Sequence, residues 1–240
     1  MKSFNNKMQF NFNFGKKKQE ETASCFEIDS RYITPPETPS QDDAFIKYEN
    51  AEKLAKKIDC DKRTFVVVNG SFILGDFIEA LVVENNFHIK RMIISTLSLS
   101  ENNVDSLKNL LDGDYVDQLD LLVSDYFFHS EADGHGNSLM PYIYQELDVD
   151  NRFQLAVSRS HTKVTMFETH CGRKIVIHGS ANLRSSANLE QIMIENSTQL
   201  YDFLEKDIYQ AIIDKYWTID FDKEKKKVKK KEEQKPKRKR

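Results

Sequence analysis

Apolar residues recur at two different spacings between about residue 43 and residue 218. Apolar residues three and four positions apart predict helices, and they occur at 43–58, 73–84, 103–111, 140–147 and 200–216. Short runs rich in Val, Ile and Phe predict strands, and they occur at 64–68, 88–96, 119–123, 153–157, 163–168 and 174–177. Because strands and helices alternate in the first part, the pattern favours crossover units with parallel strands. We therefore expect an α/β fold with a mixed, largely parallel sheet flanked by helices.

The alternation stops near residue 150, where three predicted strands follow one another with no room for helices between them. Cys171 and Gly172 lie between the last two of these strands, and a glycine in so short a connection favours a hairpin turn. The second part of the chain is therefore expected to contain a hairpin and to end with the helix at 200–216.

Both ends of the chain lack this pattern. Residues 34–40 (TPPETPS) form a Pro-rich linker, which excludes a helix and a central strand. Residues 223–240 contain Val228 as their only aliphatic residue, so they cannot bury enough surface to offset the entropy of ordering. We expect a disordered basic arm at 1–42, one globular domain at 43–218 and a disordered basic tail at 219–240.

The formal net charge of −3 hides a strong asymmetry along the chain. Residues 223–240 carry 12 Lys and Arg against 3 acids, and residues 1–19 carry 5 Lys and no acid, whereas residues 20–222 carry 18 Lys and Arg against 35 acids. So dense a basic tail indicates binding to a polyanion, and nucleic acid is favoured over an anionic membrane. A solubilising tail is the alternative. The tail cations expected to contact nucleic acid include Lys229, Lys230, Lys237 and Arg238.

Composition excludes several classes of protein. No apolar run approaches the ~18 to 20 residues of a membrane-spanning helix, and the Asn-, Phe- and Lys-rich N-terminus lacks the apolar core of a secretory signal. Three widely spaced cysteines rule out a disulfide scaffold and leave no CxxC zinc pattern. We expect a cytoplasmic protein with no cofactor and no membrane partner.

The chemically informative residues lie around two predicted strand ends. His161 and Lys163 are two positions apart on a strand, so their side chains share one face. Ser180 and Asn182 have the same relation after Gly179, which lacks a side chain and permits close backbone approach. An imidazole, an ammonium, a hydroxyl and an amide at one sheet edge would form a polar site of about the size of a phosphate group.

Three further residues could complete this site. Glu190 lies eight residues beyond Asn182, and its carboxylate could lie at the same polar site. A carboxylate bonded to one ring nitrogen fixes a histidine tautomer and leaves the other nitrogen as nucleophile or base. Arg159 and Arg184 flank the motif strands and are candidates for contacts with a phosphate backbone. Ordinary surface charge is the alternative for both arginines.

The spacing of these residues resembles the phospholipase D superfamily, whose motif is H-x-K, four residues and D, followed by G-[SG]-x-N and a downstream acid. Here the motif reads His161-x-Lys163-x4-Glu168, then Gly179-Ser180-x-Asn182, then Asn188-x-Glu190. The match covers about thirty residues and departs at Glu168, where the family has Asp. Residues 161 and 168 are an odd number of positions apart, so Glu168 is not expected to face the phosphate.

The resemblance implies a metal-independent phosphodiesterase that works through a phosphohistidine. Two H-x-K motifs build one active site in this family, and this chain has one, as in the single-motif nucleases that complete the site by homodimerisation. Carried over, His161 attacks phosphorus, and His161 of the partner subunit protonates the leaving oxygen. Lys163 and Asn182 hold the non-bridging oxygens, Ser180 supports the phosphate and Glu190 orients His161.

The expected function is therefore a nuclease that acts on DNA as a homodimer. One alternative is a phospholipase D-like module that binds nucleic acid without turnover, which Glu168 and the acidic body slightly favour. A phospholipase ranks last, because it would need an apolar mouth, a signal or a membrane segment. A metal site is a further alternative, because His129, Glu131, Asp133 and His135 share a loop. Their spacing fits no established ligand pattern, so a solvated loop is expected there and no metal.

Overall fold

Eight strands form one mixed sheet in the computed structural model, which describes residues 43–47, 50–69, 72–132, 139–184 and 188–219. The strands are β1 (Asp43–Lys47), β2 (Arg63–Val68), β3 (Ile89–Thr96), β4 (Leu119–Ser124), β5 (Phe153–Ser158), β6 (Val164–Thr169), β7 (Lys174–Gly179) and β8 (Glu190–Asn196). Their order across the sheet is β1-β2-β8-β7-β6-β3-β4-β5.

Strand direction decides where the ends of the strands meet. The pairs β1–β2, β3–β4 and β4–β5 are parallel, and the four pairs that involve β6 or β8 are antiparallel. Six strands therefore run in one direction, and β6 and β8 run against them. As a result the starts of β6 and β8 lie at the same sheet edge as the ends of the other six strands.

Helices cover both faces of this sheet. The first five are α1 (Ala51–Ala55), α2 (Leu74–Glu84), α3 (Glu101–Asp112), α4 (Asp125–Ala132) and α5 (Leu139–Leu147). Their apolar residues join the inward residues of the strands in one continuous core, in which Phe77, Ile78 and Leu81 of α2 are fully buried. Burial of this apolar surface is the main stabilising contribution to the fold.

The opposite face is covered by the C-terminal helix. This helix consists of α6 (Thr198–Phe203), a π-helical segment (Leu204–Tyr209) and α7 (Gln210–Tyr216). Ion pairs fix it to the sheet: Lys174 of β7 binds Asp202 at 2.5 Å, and Arg91 of β3 binds Glu205 at 3.3 Å. The same Arg91 also binds the buried Asp120 of β4 at 2.5 Å. Charged side chains thus set the position of the helix along the strands.

The α/β class and the mixed, helix-flanked sheet are confirmed, and the proportion of parallel pairing is corrected. Six of the eight strands do run in one direction, as a largely parallel sheet requires, but four of the seven pairings are antiparallel. The reason is that β6 and β8 each lie between two strands of the opposite direction. Gly172 has a φ of 87° in the β6–β7 connection, which suits the glycine of the expected hairpin turn.

Four differences separate the predicted elements from the structure. The helix expected at 43–58 is instead β1 followed by the short α1, because Asn50 caps α1 by accepting a hydrogen bond from Lys53 N at 2.9 Å and β1 pairs in register with β2. Helix α4 and strand β8 were not predicted. The helix expected at 200–216 begins at Thr198 and contains the π-helical segment.

The predicted arm at 1–42 and the tail beyond Ile219 lie outside the described residues. Their assignment as separate basic segments therefore stays a prediction. No helix in the described part of the chain is long and apolar enough to cross a membrane.

Candidate active site

Both halves of the motif lie at the edge where β6 and β8 begin and β7 ends. His161 and Lys163 immediately precede β6, Gly179 ends β7, and Glu190 begins β8. Gly179 N donates a hydrogen bond to Lys163 O at 3.3 Å, which joins the two halves directly. In sheets of this kind, ligands bind beyond the carboxyl ends of the strands. The order of β6, β7 and β8 in the sheet therefore turns a sequence motif into a surface site.

His161 and Lys163 are in direct contact. Lys163 Nζ lies 3.2 Å from His161 Nδ1 and also donates to His161 O at 3.1 Å. A protonated lysine can only donate, so this contact places an acceptor at Nδ1, and the neutral imidazole then carries its proton on Nε2. The structure therefore holds His161 in the tautomer that can give a proton through Nε2. Attack by Nε2 requires the ring proton to lie on Nδ1 instead.

The charge environment of Lys163 is mixed. Partial burial lowers the pKa of the Lys163 ammonium below its ordinary value, and the nearby negative charge of Glu190 opposes this shift. Partial burial also strengthens the attraction between this ammonium and a bound anion. Lys163 is therefore suited to binding a phosphate oxygen.

Close packing of β7 on β8 shapes the floor of the site. A Cβ on Gly179 would lie 2.1 Å from Gln191 O, a distance that no side chain can occupy. Beyond Gly179, Ser180 N donates to Gln191 O, and Ser180 Oγ accepts from Gln191 N, both at 3.0 Å. Ser180 Oγ also donates a hydrogen bond to Glu190. The glycine thus brings Ser180 onto the start of β8.

The loop that carries Asn182 is anchored through Leu183. Leu183 O accepts hydrogen bonds from Leu74 N at 3.1 Å, Gly75 N at 3.4 Å and Asn103 Nδ2 at 3.1 Å. A Cβ on Gly75 would lie 2.7 Å from Asn103 Nδ2, so a glycine at this position lets α2, α3 and the loop meet. These bonds hold the backbone on one side of Asn182 against the helical layer.

Asn182 lines a small pocket together with Arg184 and Glu190. Its Oδ1 is buried and has no hydrogen-bond partner among the described residues, which is uncommon for a buried polar atom. The oxygen and nitrogen of a side-chain amide exchange places on a 180° rotation. With Nδ2 in this position, Asn182 would be a hydrogen-bond donor to a bound anion.

Glu190 has a different partner from the one expected. It accepts a hydrogen bond from Ser180, and no bond from Glu190 to His161 is formed among the described residues, where His161 is held by Lys163 instead. The geometry of the chain therefore does not support the orienting role expected for Glu190. Glu190 instead accepts the hydrogen bond of Ser180, and its negative charge raises the pKa of Lys163.

Glu168 faces away from the site, as the odd spacing predicts. It lies near the far end of β6 and forms an ion pair with Lys90 at 2.9 Å. The one residue that departs from the family motif, Glu168 in place of Asp, is therefore part of a surface ion pair. Pairs of this kind contribute little to stability.

The candidate cations for substrate contact lie in different environments. Arg159 is exposed and forms an ion pair with Asp125 at 3.1 Å. Arg184 is exposed and borders a small pocket beside Asn182 and Glu190, and no ion pair of the described residues includes it. Lys229, Lys230, Lys237 and Arg238 lie outside the described residues.

A group of four hydroxyls next to the motif was not predicted. Ser95, Ser160, Thr162 and Tyr209, called the hydroxyl cluster below, converge on Thr162 Oγ1. Ser160 and Thr162 alternate with His161 in the sequence SHTK, and this alternation was the available signal. Ser95 and Tyr209 come from distant segments, so their contribution could not be inferred from local spacing.

Among the described residues, no group of three or more His, Cys, Asp or Glu side chains could hold a metal ion. Part of the loop expected to be solvated, residues 133–138, lies outside the described residues. The donors at the candidate site are an imidazole, an ammonium, a hydroxyl, an amide and a single carboxylate. Such a set suits an anion better than a hard metal cation, which takes several oxygen ligands.

The similarity of the chain to known proteins is partial. No family model and no curated protein matches the chain. Among solved structures, it is similar to phosphatidylserine synthase from Haemophilus influenzae, with 13% identity and a TM-score of 0.44 over 65% of this chain and 39% of that one. It is also similar to yeast tyrosyl-DNA phosphodiesterase, with 12% identity and a TM-score of 0.33 over 55% of this chain and 31% of that one.

The chain thus spans less than half the length of either protein. The overlap covers part of each chain, so the roles given to individual residues rest on the geometry of this chain alone.

Proposed function

We propose that this protein is a phosphodiesterase, a metal-independent nuclease acting on DNA through a phosphohistidine. The observation that carries the proposal is the His161–Lys163 contact at the sheet edge, together with the unsatisfied buried amide oxygen of Asn182 in the segment that follows β7. A nucleophile or acid, a cation and an amide donor would then surround one phosphate. Removing such groups from a phosphoryl-transfer site costs orders of magnitude in rate, because they act where charge develops.

The reaction proceeds in two displacements. His161 Nε2 attacks phosphorus, a P–N bond forms, and the P–O bond to the leaving group breaks. The leaving oxygen takes a proton from His161 of the partner subunit, which then acts as a base. It accepts a proton from water as the water oxygen attacks phosphorus and the P–N bond breaks. Lys163 and Asn182 bind the non-bridging oxygens in both steps.

A second subunit is part of this proposal, because the two histidines have different tasks. The Lys163 contact favours the tautomer with the proton on Nε2, which suits the histidine that protonates the leaving group. In the subunit that supplies the nucleophile, Lys163 turns towards the phosphate oxygen. His161 Nδ1 can then carry the ring proton, and Nε2 can attack.

Nucleic acid is favoured as the substrate by charge. The chain ends in 12 Lys and Arg within residues 223–240, a density suited to a polyphosphate backbone. The exposed Arg184 next to Asn182 would contact a phosphate adjacent to the one that reacts. A small phosphodiester would use neither of these features.

The test is hydrolysis of labelled single-stranded and double-stranded DNA and RNA by the full chain, with and without EDTA. DNA hydrolysis that persists in EDTA and is lost in His161→Ala supports the proposal. The His161 side chain is exposed, so this variant should fold as the wild type does, and Glu168→Asp provides a control at the far end of β6. Hydrolysis that vanishes in EDTA and returns with magnesium would contradict the mechanism.

The second candidate function is a nucleic-acid-binding module without turnover. It is favoured by one observation, the Lys163 contact that keeps Nδ1 as an acceptor and so leaves Nε2 protonated and unable to attack. The same assay separates the two functions. Tight DNA binding without hydrolysis, unchanged in His161→Ala, would favour the binding module.

A further inference from the structure

The hydroxyl cluster lies directly behind the catalytic motif. Thr162 Oγ1 is 2.7 Å from Ser95 Oγ and 2.8 Å from Ser160 Oγ, and it accepts a hydrogen bond from Tyr209 Oη at 3.2 Å. Ser95 Oγ and Ser160 Oγ are 3.4 Å apart. Thr162 is the residue between His161 and Lys163. In an extended segment, alternate side chains point to opposite sides, so His161 and Lys163 point away from Thr162. The cluster at Thr162 therefore fixes the backbone that carries both functional side chains.

This support matters because the motif lies outside regular structure. Residues 159–163 form no part of any strand in the described chain, and the ladder of β6 begins only at Val164. Sheet hydrogen bonds therefore do not hold His161 in place. Side-chain hydroxyls supply the missing constraint at Thr162.

Tyr209 reaches the cluster through the π-helical segment. Tyr209 is the last residue of this segment and is buried. Arg91 holds the segment and the helix that follows, through Glu205 at 3.3 Å and Gln210 at 2.6 Å. A π-helical turn shifts the following residues relative to an α-helix, and such turns are frequent at functional sites. Burial raises the pKa of Tyr209, so its hydroxyl keeps its proton and donates.

We infer that Tyr209 is a positioning residue for the reaction, which acts through Thr162 to hold His161 and Lys163 in the geometry for attack on phosphorus. This inference rests on the proposed function. Tyr209 is buried and reaches the motif through Thr162, so it acts on the reaction indirectly. A small displacement of a reacting group, about 1 Å, can cost roughly 100-fold in rate, so the loss of one supporting hydroxyl should be measurable in kcat.

The chain provides a matched control. Tyr201 lies on the same C-terminal helix and is also fully buried, and its hydroxyl has no hydrogen-bond partner in the described part of the chain. Tyr209→Phe and Tyr201→Phe each remove one buried oxygen from the same helix. Only Tyr209→Phe removes a contact to the motif. A general effect of the substitution on packing would appear in both variants.

The experiment measures kcat, KM and Tm of the full chain on a DNA substrate that the wild type cleaves. Tyr209→Phe should lower kcat by about 10- to 100-fold with KM within a few-fold of wild type, and Tyr201→Phe should leave kcat unchanged. Thr162→Val should reproduce the loss, whereas Thr162→Ser, which keeps the hydroxyl, should restore most of kcat. The Tm of Tyr209→Phe should fall by no more than a few degrees, as the loss of about 1 kcal/mol for one hydrogen bond implies, and that of Tyr201→Phe should not fall.

A kcat of Tyr209→Phe equal to that of the wild type, with His161→Ala inactive, would overturn the positioning role and leave the proposed function intact. A His161→Ala variant with full activity would overturn both. Equal losses of kcat in Tyr209→Phe and Tyr201→Phe would also overturn the inference, because they would assign the effect to packing of the helix.

Discussion

Two influences shift the pKa of Lys163 in opposite directions. Partial burial lowers its pKa, and the negative charge of Glu190 raises it. The ammonium must be protonated to hold a phosphate oxygen, so activity should fall at alkaline pH as Lys163 loses its proton. Because burial dominates, this fall should begin below the pH at which an ordinary lysine titrates.

The first prediction concerns Glu190→Gln. Removing the carboxylate removes the influence that raises the pKa of Lys163, so the alkaline limb of the kcat/KM profile should move to lower pH. Glu190→Asp keeps the charge and should leave the limb close to its wild-type position. The pH profiles of the three proteins on one DNA substrate measure this. A limb that stays fixed in Glu190→Gln would show that Glu190 does not act on Lys163.

At the scale of residues, the sequence predicted which side chains come together at the site, but it did not predict the hydrogen-bond partner of each one. The i, i+2 spacing of His161 and Lys163 and the glycine at 179 follow from local geometry, and the structure brings these residues together. The partner of Glu190 could not be predicted in this way. Whether its carboxylate contacts Ser180 or His161 depends on how far β7 and β8 overlap, and that register is set by non-local packing.

Gly179 sets the contact between β7 and β8, and the second prediction concerns this contact. Gly179→Ala places a Cβ against Gln191 O, so the strands must separate where Ser180 joins Glu190. Overpacking costs about 1–3 kcal/mol, and for a chain of this size Tm falls by roughly 2–4 °C per kcal/mol. Both Tm and nuclease activity should therefore fall.

Gly172→Ala is the control for this prediction. Gly172 has open space around its Cα but a φ of 87°, so the variant carries backbone strain at the opposite sheet edge. It should lose stability and keep kcat. If Gly179→Ala kept full activity, the close approach of β7 to β8 would have no part in forming the site.

Elements with strong local patterns were predicted well, and elements defined by pairing were not. Strands β3, β4 and β5 and helices α2, α3 and α5 have continuous apolar runs or helical spacing, and they form as expected. Strand β8 mixes apolar and charged residues (EQIMIEN), because one of its faces meets the core and the other meets Arg63 and His178 through Glu195. Its place between β2 and β7 follows from tertiary pairing, which no local pattern encodes.

At the scale of the whole molecule, the proposed function divides binding and chemistry between the basic tail and the folded domain. The third prediction is that removal of residues 223–240 weakens DNA binding and flattens its salt dependence, because up to twelve cationic contacts are lost. The slope of log K against log salt scales with the number of phosphates neutralised. Fluorescence anisotropy at several salt concentrations measures this slope.

The chemical step on a short, saturating substrate should barely change in this truncated protein. Unaltered affinity at low salt after removal of the tail would contradict a role of the tail in nucleic-acid binding.

The fourth prediction follows from the single motif per chain. If one composite site needs His161 from both subunits, a dimer of one wild-type and one His161→Ala subunit is inactive. After random subunit exchange at equal concentrations, roughly a quarter of the dimers are fully wild type, and activity should fall to about that fraction. Independent sites would retain about half of the activity. Full activity of a strictly monomeric fraction would likewise contradict the shared site.

The central claim is that His161 forms a covalent bond to phosphorus without a metal, and a trapped intermediate tests it most directly. The wild-type protein is mixed with labelled single-stranded DNA in EDTA at mildly acidic pH, denatured in alkali and digested, and the peptides are analysed by mass spectrometry. The account predicts a nucleotide adduct on the imidazole of His161 that is absent from His161→Ala and present in Glu168→Asp. If the wild-type protein hydrolyses the DNA with no adduct on His161, or if hydrolysis requires magnesium, the account is contradicted.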